Sequence, residues 1–186
     1  MFRLYRYLFP LVLLLLGNLS AASTPQPGFA PGASIQLASF TDPNNGVHVS
    51  IQVDHALNGN IILSATFEAP KDYHLYSKDI VQLGFINRGR PTRLDLPPGS
   101  KMKAAGSLSA SVPYEIYGHD PEGPPVYPGG PVTLSLPVKL PSSQKGWVDD
   151  TVSLTYMACS KTTCGSPTVG KLVKVKIPEL AAVGNP

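Results

Sequence analysis

The chain is short of several things, and each shortage narrows the reading. It has 186 residues, two cysteines and one tryptophan, and only 15% of its residues are charged. With two cysteines, any internal disulfide is one pair, Cys159 with Cys164. No stretch carries a 3.6-residue apolar stripe, which argues against a helical fold. After the first apolar run no second one follows, so nothing downstream is a candidate membrane span. There is no Ser-His-Asp order, no glycine-rich phosphate loop and no paired-carboxylate motif, so hydrolase and nucleotide readings have no positive support. Fifteen basic residues face twelve acidic ones, and Arg3 and Arg6 fall in the leader described next. The remainder is nearly neutral, which gives no footprint for nucleic acid or for electrostatic docking on a membrane.

What is present begins with an export pattern. Arg3 and Arg6 precede the apolar run Leu8–Leu16, and Ser20-Ala21-Ala22 supplies small residues for cleavage near Ala22. Residues 1–22 read as a signal peptide, and an exported chain meets oxidant. Residues 23–46 read as a flexible leader and first edge segment, 47–178 as one domain and 179–186 as a tail. Twenty prolines and seventeen glycines point to strands joined by turns. Val47, Val49, Ile51 and Val53 alternate with polar residues, as do Ile61, Leu63, Ala65 and Phe67, and Asn58-Gly59-Asn60 between them predicts a hairpin. Val81, Leu83 and Phe85 form a short run. Val132 to Leu140 alternates, with Pro137 marking an edge or a bulge. Val152, Leu154 and Tyr156, then Val173, Val175 and Ile177, complete the set. The expected fold is an all-β, immunoglobulin-like β-sandwich.

The cysteines follow the strand ending at Tyr156. Cys159 has the parity opposite to Val152, Leu154 and Tyr156, so it is expected off the core face, near the surface at the end of a hairpin. Closing a six-residue loop removes roughly 2 kcal/mol of chain entropy, against nearly 5 for a loop of about 100 residues. The pair therefore reads either as a redox-active dithiol/disulfide or as a local staple in an immunoglobulin-like binding or assembly module, and spacing leaves both open.

The stretch Thr155-Tyr-Met-Ala-Cys159-Ser-Lys-Thr-Thr-Cys164-Gly-Ser-Pro167 resembles the signature of the N-terminal periplasmic domain of the thiol–disulfide interchange protein DsbD. Ala69-Pro-Lys-Asp-Tyr73-His-Leu-Tyr76, Tyr114-Glu-Ile-Tyr117-Gly118, Val126-Tyr127 and Pro131–Pro137 are similar to further family segments, so the likeness runs from about Val47 to Ile177. It implies an immunoglobulin-like domain that passes electrons to oxidised periplasmic proteins of thioredoxin-like or disulfide-isomerase-like kind. Cys159 and Cys164 are then the exchanging pair, with Cys164 forming the mixed disulfide and Cys159 resolving it. The resemblance also implies a cap over the pair at Tyr114–Gly118. Ile116 falls near the family's capping aromatic, and Tyr114 or Tyr117 stands in for it. His74 and Tyr76 match positions near the cysteines. The family's bulky residue and two prolines after the second cysteine are replaced by Gly165-Ser166-Pro167. A membrane-embedded electron donor encoded separately is expected.

Other residues have simpler readings. Lys161, between the cysteines, would favour a thiolate or be a solvated surface lysine. His74 would assist proton transfer or be a partly buried strand histidine. A soft copper(I) site from Met157, Cys159 and Cys164 with His48, His55 or Met102 lacks tight spacing, so no metal or cofactor is expected. Trp147 reads as core or hairpin packing, and Asp149-Asp150 as a turn.

Overall fold

In the computed structural model, residues 29–80, 89–119, 122–141 and 146–180 are described. Residues 1–28, the Val81–Phe85 run and the last six residues lie outside them. The described residues form thirteen strands in order: β1 (Ser34–Thr41), β2 (His48–His55), β3 (Ile61–Glu68), β4 (His74–Leu75), β5 (Arg93–Asp95), β6 (Lys103–Ala104), β7 (Ser109–Ala110), β8 (Glu115–Ile116), β9 (Pro125–Val126), β10 (Val132–Lys139), β11 (Val148–Tyr156), β12 (Ala158–Cys159) and β13 (Thr168–Ile177). A single 3₁₀ turn, Tyr117–His119, separates β8 from β9, and no α-helix occurs among the described residues. None of those residues forms a helix long and apolar enough to cross a membrane.

The larger sheet runs β1-β2-β3-β10-β6, with β7 also on β10, and the smaller one runs β13-β11-β5. Alternation explains why they stack. In β2 every second residue is buried, with Val49, Ile51 and Val53 fully so, and Leu134, Leu136 and Val138 repeat the pattern in β10. From the other sheet Leu94, Val152, Leu154, Tyr156, Val175 and Ile177 face them, forming one core. The Phe67 and Tyr156 rings meet across the interface at 5.5 Å between centroids. This is an all-β, immunoglobulin-like sandwich.

The expected hairpin forms, with β2 and β3 paired from His48↔Glu68 to His55↔Ile61. Its turn closes through Gly59 N to Ala56 O at 2.9 Å and Asn60 N to the Asn58 carboxamide at 3.1 Å. Pro137 sits in a strand paired along its full length with β3. On the opposite side β10 meets only two short partners, β7 at Leu134–Ser135 and β6 at Val138–Lys139. Pro137 lies between those partners, where a missing N–H disturbs the ladder least.

Two simple readings are corrected. Trp147 is 43% exposed and is no core residue. Asp149-Asp150 is no turn but lies within β11, and Asp150 is buried. Its carboxylate accepts hydrogen bonds from Ser100 Oγ, Lys101 N and Met102 N at 2.9–3.1 Å, tying the loop before β6 to the smaller sheet. Once paired in this way, a carboxylate is tolerated in a strand interior.

Candidate functional site

The strand β11 ends at Tyr156, and after Met157 the chain re-pairs as β12 with β4, setting Cys159 opposite His74 and Ala158 opposite Leu75. Cys159 and Cys164 form a disulfide with Cα atoms 4.0 Å apart. The intervening loop is closed by Ser160 N to Thr163 O at 2.7 Å and by Gly165 N to Ala158 O at 2.9 Å. The loop thus returns to β12 directly after Cys164.

The two sulfurs have different surroundings. Cys164 is exposed, while Cys159 is only 2% accessible. The parity expectation is half met: Cys159 lies outside the main core, yet not near the surface. It joins a second, smaller cluster with Tyr76 and Val126, against which Ile80, Tyr117 and Met157 pack. The covering side chains come from the β4 segment and from the β8–β9 arm, so strand parity alone could not show them.

Tyr76 is held firmly. Its carbonyl accepts from Thr92 N at 3.2 Å and from Thr92 Oγ1 at 2.8 Å. Its ring lies against Gly89, where an added Cβ would stand 2.6 Å from the ring and φ is +74°. Only glycine combines that approach with that conformation. From this seat the Tyr76 hydroxyl donates to Cys159 Sγ at 3.4 Å.

His74 stacks on Tyr117 with ring centroids 4.4 Å apart and meets the Tyr76 ring edge-on at 5.7 Å. Burial lowers its pKa, against an opposing pull from Glu115. The imidazole is therefore neutral at pH 7. The cap residues separate. Tyr117 is partly buried over the Cys159 cluster, whereas Tyr114 and Ile116 are 50% and 38% exposed. Tyr114 instead lines a different cleft, with Lys78 and Val112. A cleft of about 500 Å³ is lined by His74, Tyr117 and Lys161 together with Glu68, Lys71 and Asp72, and neither cysteine lines it.

Residues that spacing had left as copper candidates are scattered. His48 bonds Thr41 and Ser39 on the outer strands, His55 bonds the Phe29 carbonyl, and Met102 is in the main core. No group of three or more His, Cys, Asp or Glu able to hold a metal occurs among the described residues.

Sequence reasoning missed the support beneath the pair. Asp42 sits in the β1–β2 turn and is buried. Its Oδ2 accepts from the Tyr156 hydroxyl at 2.7 Å, Thr168 Oγ1 at 3.0 Å and Lys171 Nζ at 3.2 Å, and its Oδ1 accepts from Asn44 N at 3.0 Å. Burial alone would raise its pKa, but these hydrogen bonds outweigh burial and hold it at about 2. Burial, then the bond to Asp42, pushes the Tyr156 phenol well above its usual value. Asn45, in the same turn, donates to Ser166 O at 3.1 Å and to Thr168 Oγ1 at 3.0 Å. The only trace in the sequence is Asp42-Pro-Asn-Asn-Gly46, which reads as an ordinary turn.

Fold and site together define a class: an all-β sandwich domain whose disulfide joins one buried and one exposed cysteine. No family model and no curated protein sequence matches the chain. Among solved structures, the N-terminal periplasmic domain of ScsB from Proteus mirabilis aligns with a TM-score of 0.51 at 13% identity, over 81% of this chain and 55% of that one. The chain thus spans about half the length of the ScsB structure it matches, and it shares that fold. The N-terminal domain of Neisseria meningitidis DsbD in the reduced form aligns at 12% identity with a TM-score of 0.36, over 77% of this chain and 82% of that one. The shared fold rests on the first of these.

Proposed function

We propose that the chain is a periplasmic thiol–disulfide exchange protein that passes electrons to oxidised partners through Cys159 and Cys164. The observation that carries this reading is the asymmetry of the pair: an exposed Cys164 joined to a buried Cys159 that accepts a hydrogen bond from the Tyr76 hydroxyl. Exchange needs in-line access to one sulfur and stabilisation of the other as it leaves.

In the reduced state the Cys164 thiolate attacks a partner disulfide, forming a Cys164–partner mixed disulfide and releasing one partner thiolate. The Cys159 thiolate then attacks Cys164 Sγ. The Cys159–Cys164 bond re-forms, the second partner sulfur leaves as thiolate, and the partner has gained two electrons. Both partner thiolates take protons from water. Recharging runs in reverse. A donor thiolate attacks Cys164, and Cys159 leaves as a thiolate that accepts the Tyr76 hydrogen bond. A second donor thiolate resolves the mixed disulfide. Neutral His74 across from Cys159 supplies a proton acceptor at the site, and Tyr117 covers the inner sulfur, which exchanges only with Cys164 in these steps. Lys161 in the loop adds positive potential near the thiolate.

Export follows from Arg3, Arg6 and the Leu8–Leu16 run, and the ScsB domain of the same fold is itself periplasmic. Partners of thioredoxin-like or disulfide-isomerase-like kind and a membrane-embedded donor fit this chemistry. A purely structural staple fits less well. The loop is already closed by backbone hydrogen bonds at both ends, and the covalent link adds only roughly 2 kcal/mol of loop-closure entropy.

The test is trapping. Cys159→Ser leaves Cys164 exposed with no resolving thiol, so incubation with an oxidised thioredoxin-like protein is expected to accumulate a 1:1 mixed disulfide. Cys164→Ser is expected to accumulate far less, because its remaining thiol is buried. Equal trapping by both variants, or none by either, would sink the reading.

A further inference from the structure

The buried polar network under the disulfide has no part in the exchange steps, yet it grips both chain segments that carry the cysteines. Tyr156 precedes Cys159 by three residues and bonds Asp42 at 2.7 Å. Thr168 follows Cys164 by four residues and bonds Asp42 at 3.0 Å. Asn45 Nδ2 reaches both Ser166 O and Thr168 Oγ1, and its own Oδ1 accepts from Val47 N at 3.1 Å, which locks the turn that presents it. Gly165 completes the fit: an added Cβ there would stand 2.8 Å from Asn45 Cβ and 3.1 Å from Asn45 Cα. The residue after Cys164 must be glycine for the Asn45 turn to lie this close. The two segments are joined besides by the disulfide, by the Gly165 N to Ala158 O and Ser160 N to Thr163 O bonds, and by the β11–β13 pairing that sets Tyr156 opposite Thr168.

From this geometry we infer that the Asp42–Asn45 turn is a positioning clamp that sets the reduction potential of the Cys159–Cys164 pair. The inference rests on the reading of the pair as one that cycles. In the oxidised state the disulfide itself holds Cys164 beside Cys159, and the clamp is redundant there. On reduction the covalent link is lost, and the clamp, with the loop's backbone hydrogen bonds, keeps the loop from opening. A held loop keeps the two thiols at high effective concentration, which favours re-oxidation. Loosening the clamp lets the reduced loop gain entropy that the oxidised loop cannot gain, so reduction becomes easier and the potential rises. Asn45 and Asp42 hydrogen-bond to the segments flanking the cysteines and to neither sulfur, so they act through the loop.

The experiment is equilibration of the purified full chain against dithiol buffers, for wild type, Asn45→Ala and Thr168→Val, with denaturant unfolding of each variant in both redox states. Thr168→Val is nearly isosteric and suits a strand, so it removes the link between Asp42 and Asn45 with little risk to folding. Asn45→Ala is expected to lower the equilibrium constant for disulfide formation about tenfold, a rise of ~30 mV for a two-electron couple. Thr168→Val is expected to lower it about threefold. Surface control Lys176→Ala on the same strand is expected to leave it unchanged. If both clamp variants fold and keep the wild-type constant, the clamp has no role in the potential and the inference falls. The wild-type potential and partner trapping judge the exchange reading separately, because the clamp is read only from the difference between variants.

Discussion

The described residues bury two clusters of side chains by different means. The main core is apolar, spans both sheets and is enforced by alternation along long strands, so each core residue is held by neighbours on its own strand, its paired strands and the facing sheet. The second cluster, around Tyr76, Val126 and Cys159, is built from two-residue strands and from loop residues such as Tyr117 and Ile80. One is a scaffold that must not open. The other is a thin cover over a sulfur, with few contacts to break. Stability and reactivity are therefore expected to separate. Changes in the core alter folding with little effect on thiol chemistry, and changes in the cover do the opposite.

The strongest challenge to that division is Phe67→Ala. Phe67 is fully buried, pairs with Val49 and Val132 and packs on Tyr156. Its loss is expected to cost about 3–5 kcal/mol in denaturant unfolding, with the folded fraction still exchanging thiols at its normal rate. A large change in exchange rate instead would show that core and cover are one cooperative unit. Acid gives the next largest effect. Asp42 is held at about 2 from an ordinary 3.8, so its bonds stabilise the fold fully above pH about 4. That contribution fades as pH falls through about 2, roughly 2 kcal/mol in all. Asp42→Asn should flatten this limb of the stability-against-pH curve, which unfolding at a series of pH values reads directly.

Effects on the cover are smaller in stability and larger in chemistry. Tyr117→Ala is expected to cost about 1 kcal/mol of folding while speeding alkylation of reduced Cys159, measured by mass spectrometry. A faster rate at Cys164 alone would mean that Tyr117 does not cover the inner sulfur. Tyr76→Phe removes one hydroxyl and keeps the ring. Losing that single hydrogen bond, worth about 1 kcal/mol, should raise the Cys159 thiol pKa by a fraction of a unit in an ultraviolet thiolate titration. No change there would mean that the 3.4 Å contact is idle.

The same contrast explains what was legible in the sequence. Alternation in β2, β3, β10 and β11 announces a sandwich because burial of one sheet face imposes a period of two over many residues. The cysteine pair and its flanking signature mark the candidate site, and His74, Tyr76 and Tyr117 lie around Cys159. The cover was not legible in the same way, because β4, β8, β9 and β12 are two residues long and carry no period. Hence Cys159 reads as near-surface from parity but is buried by residues distant in sequence, and Ile116 and Tyr114 fall outside the cluster that Tyr117 joins. Trp147 reads as core by residue type, yet it precedes β11 and stays exposed. Asp42, Asn45 and Asp150 were missed for a related reason: a turn-forming or strand-start polar residue looks solvated until a segment over a hundred residues away, or near fifty, supplies its hydrogen-bond partners.

The central claim is that the pair cycles, and a redox titration of the purified domain tests it most directly. The account predicts a potential above about −300 mV, with the dithiol form still folded. A potential below that value, typical of structural disulfides, together with a loss of several kcal/mol of stability on reduction, would contradict it and leave Cys159–Cys164 as a staple.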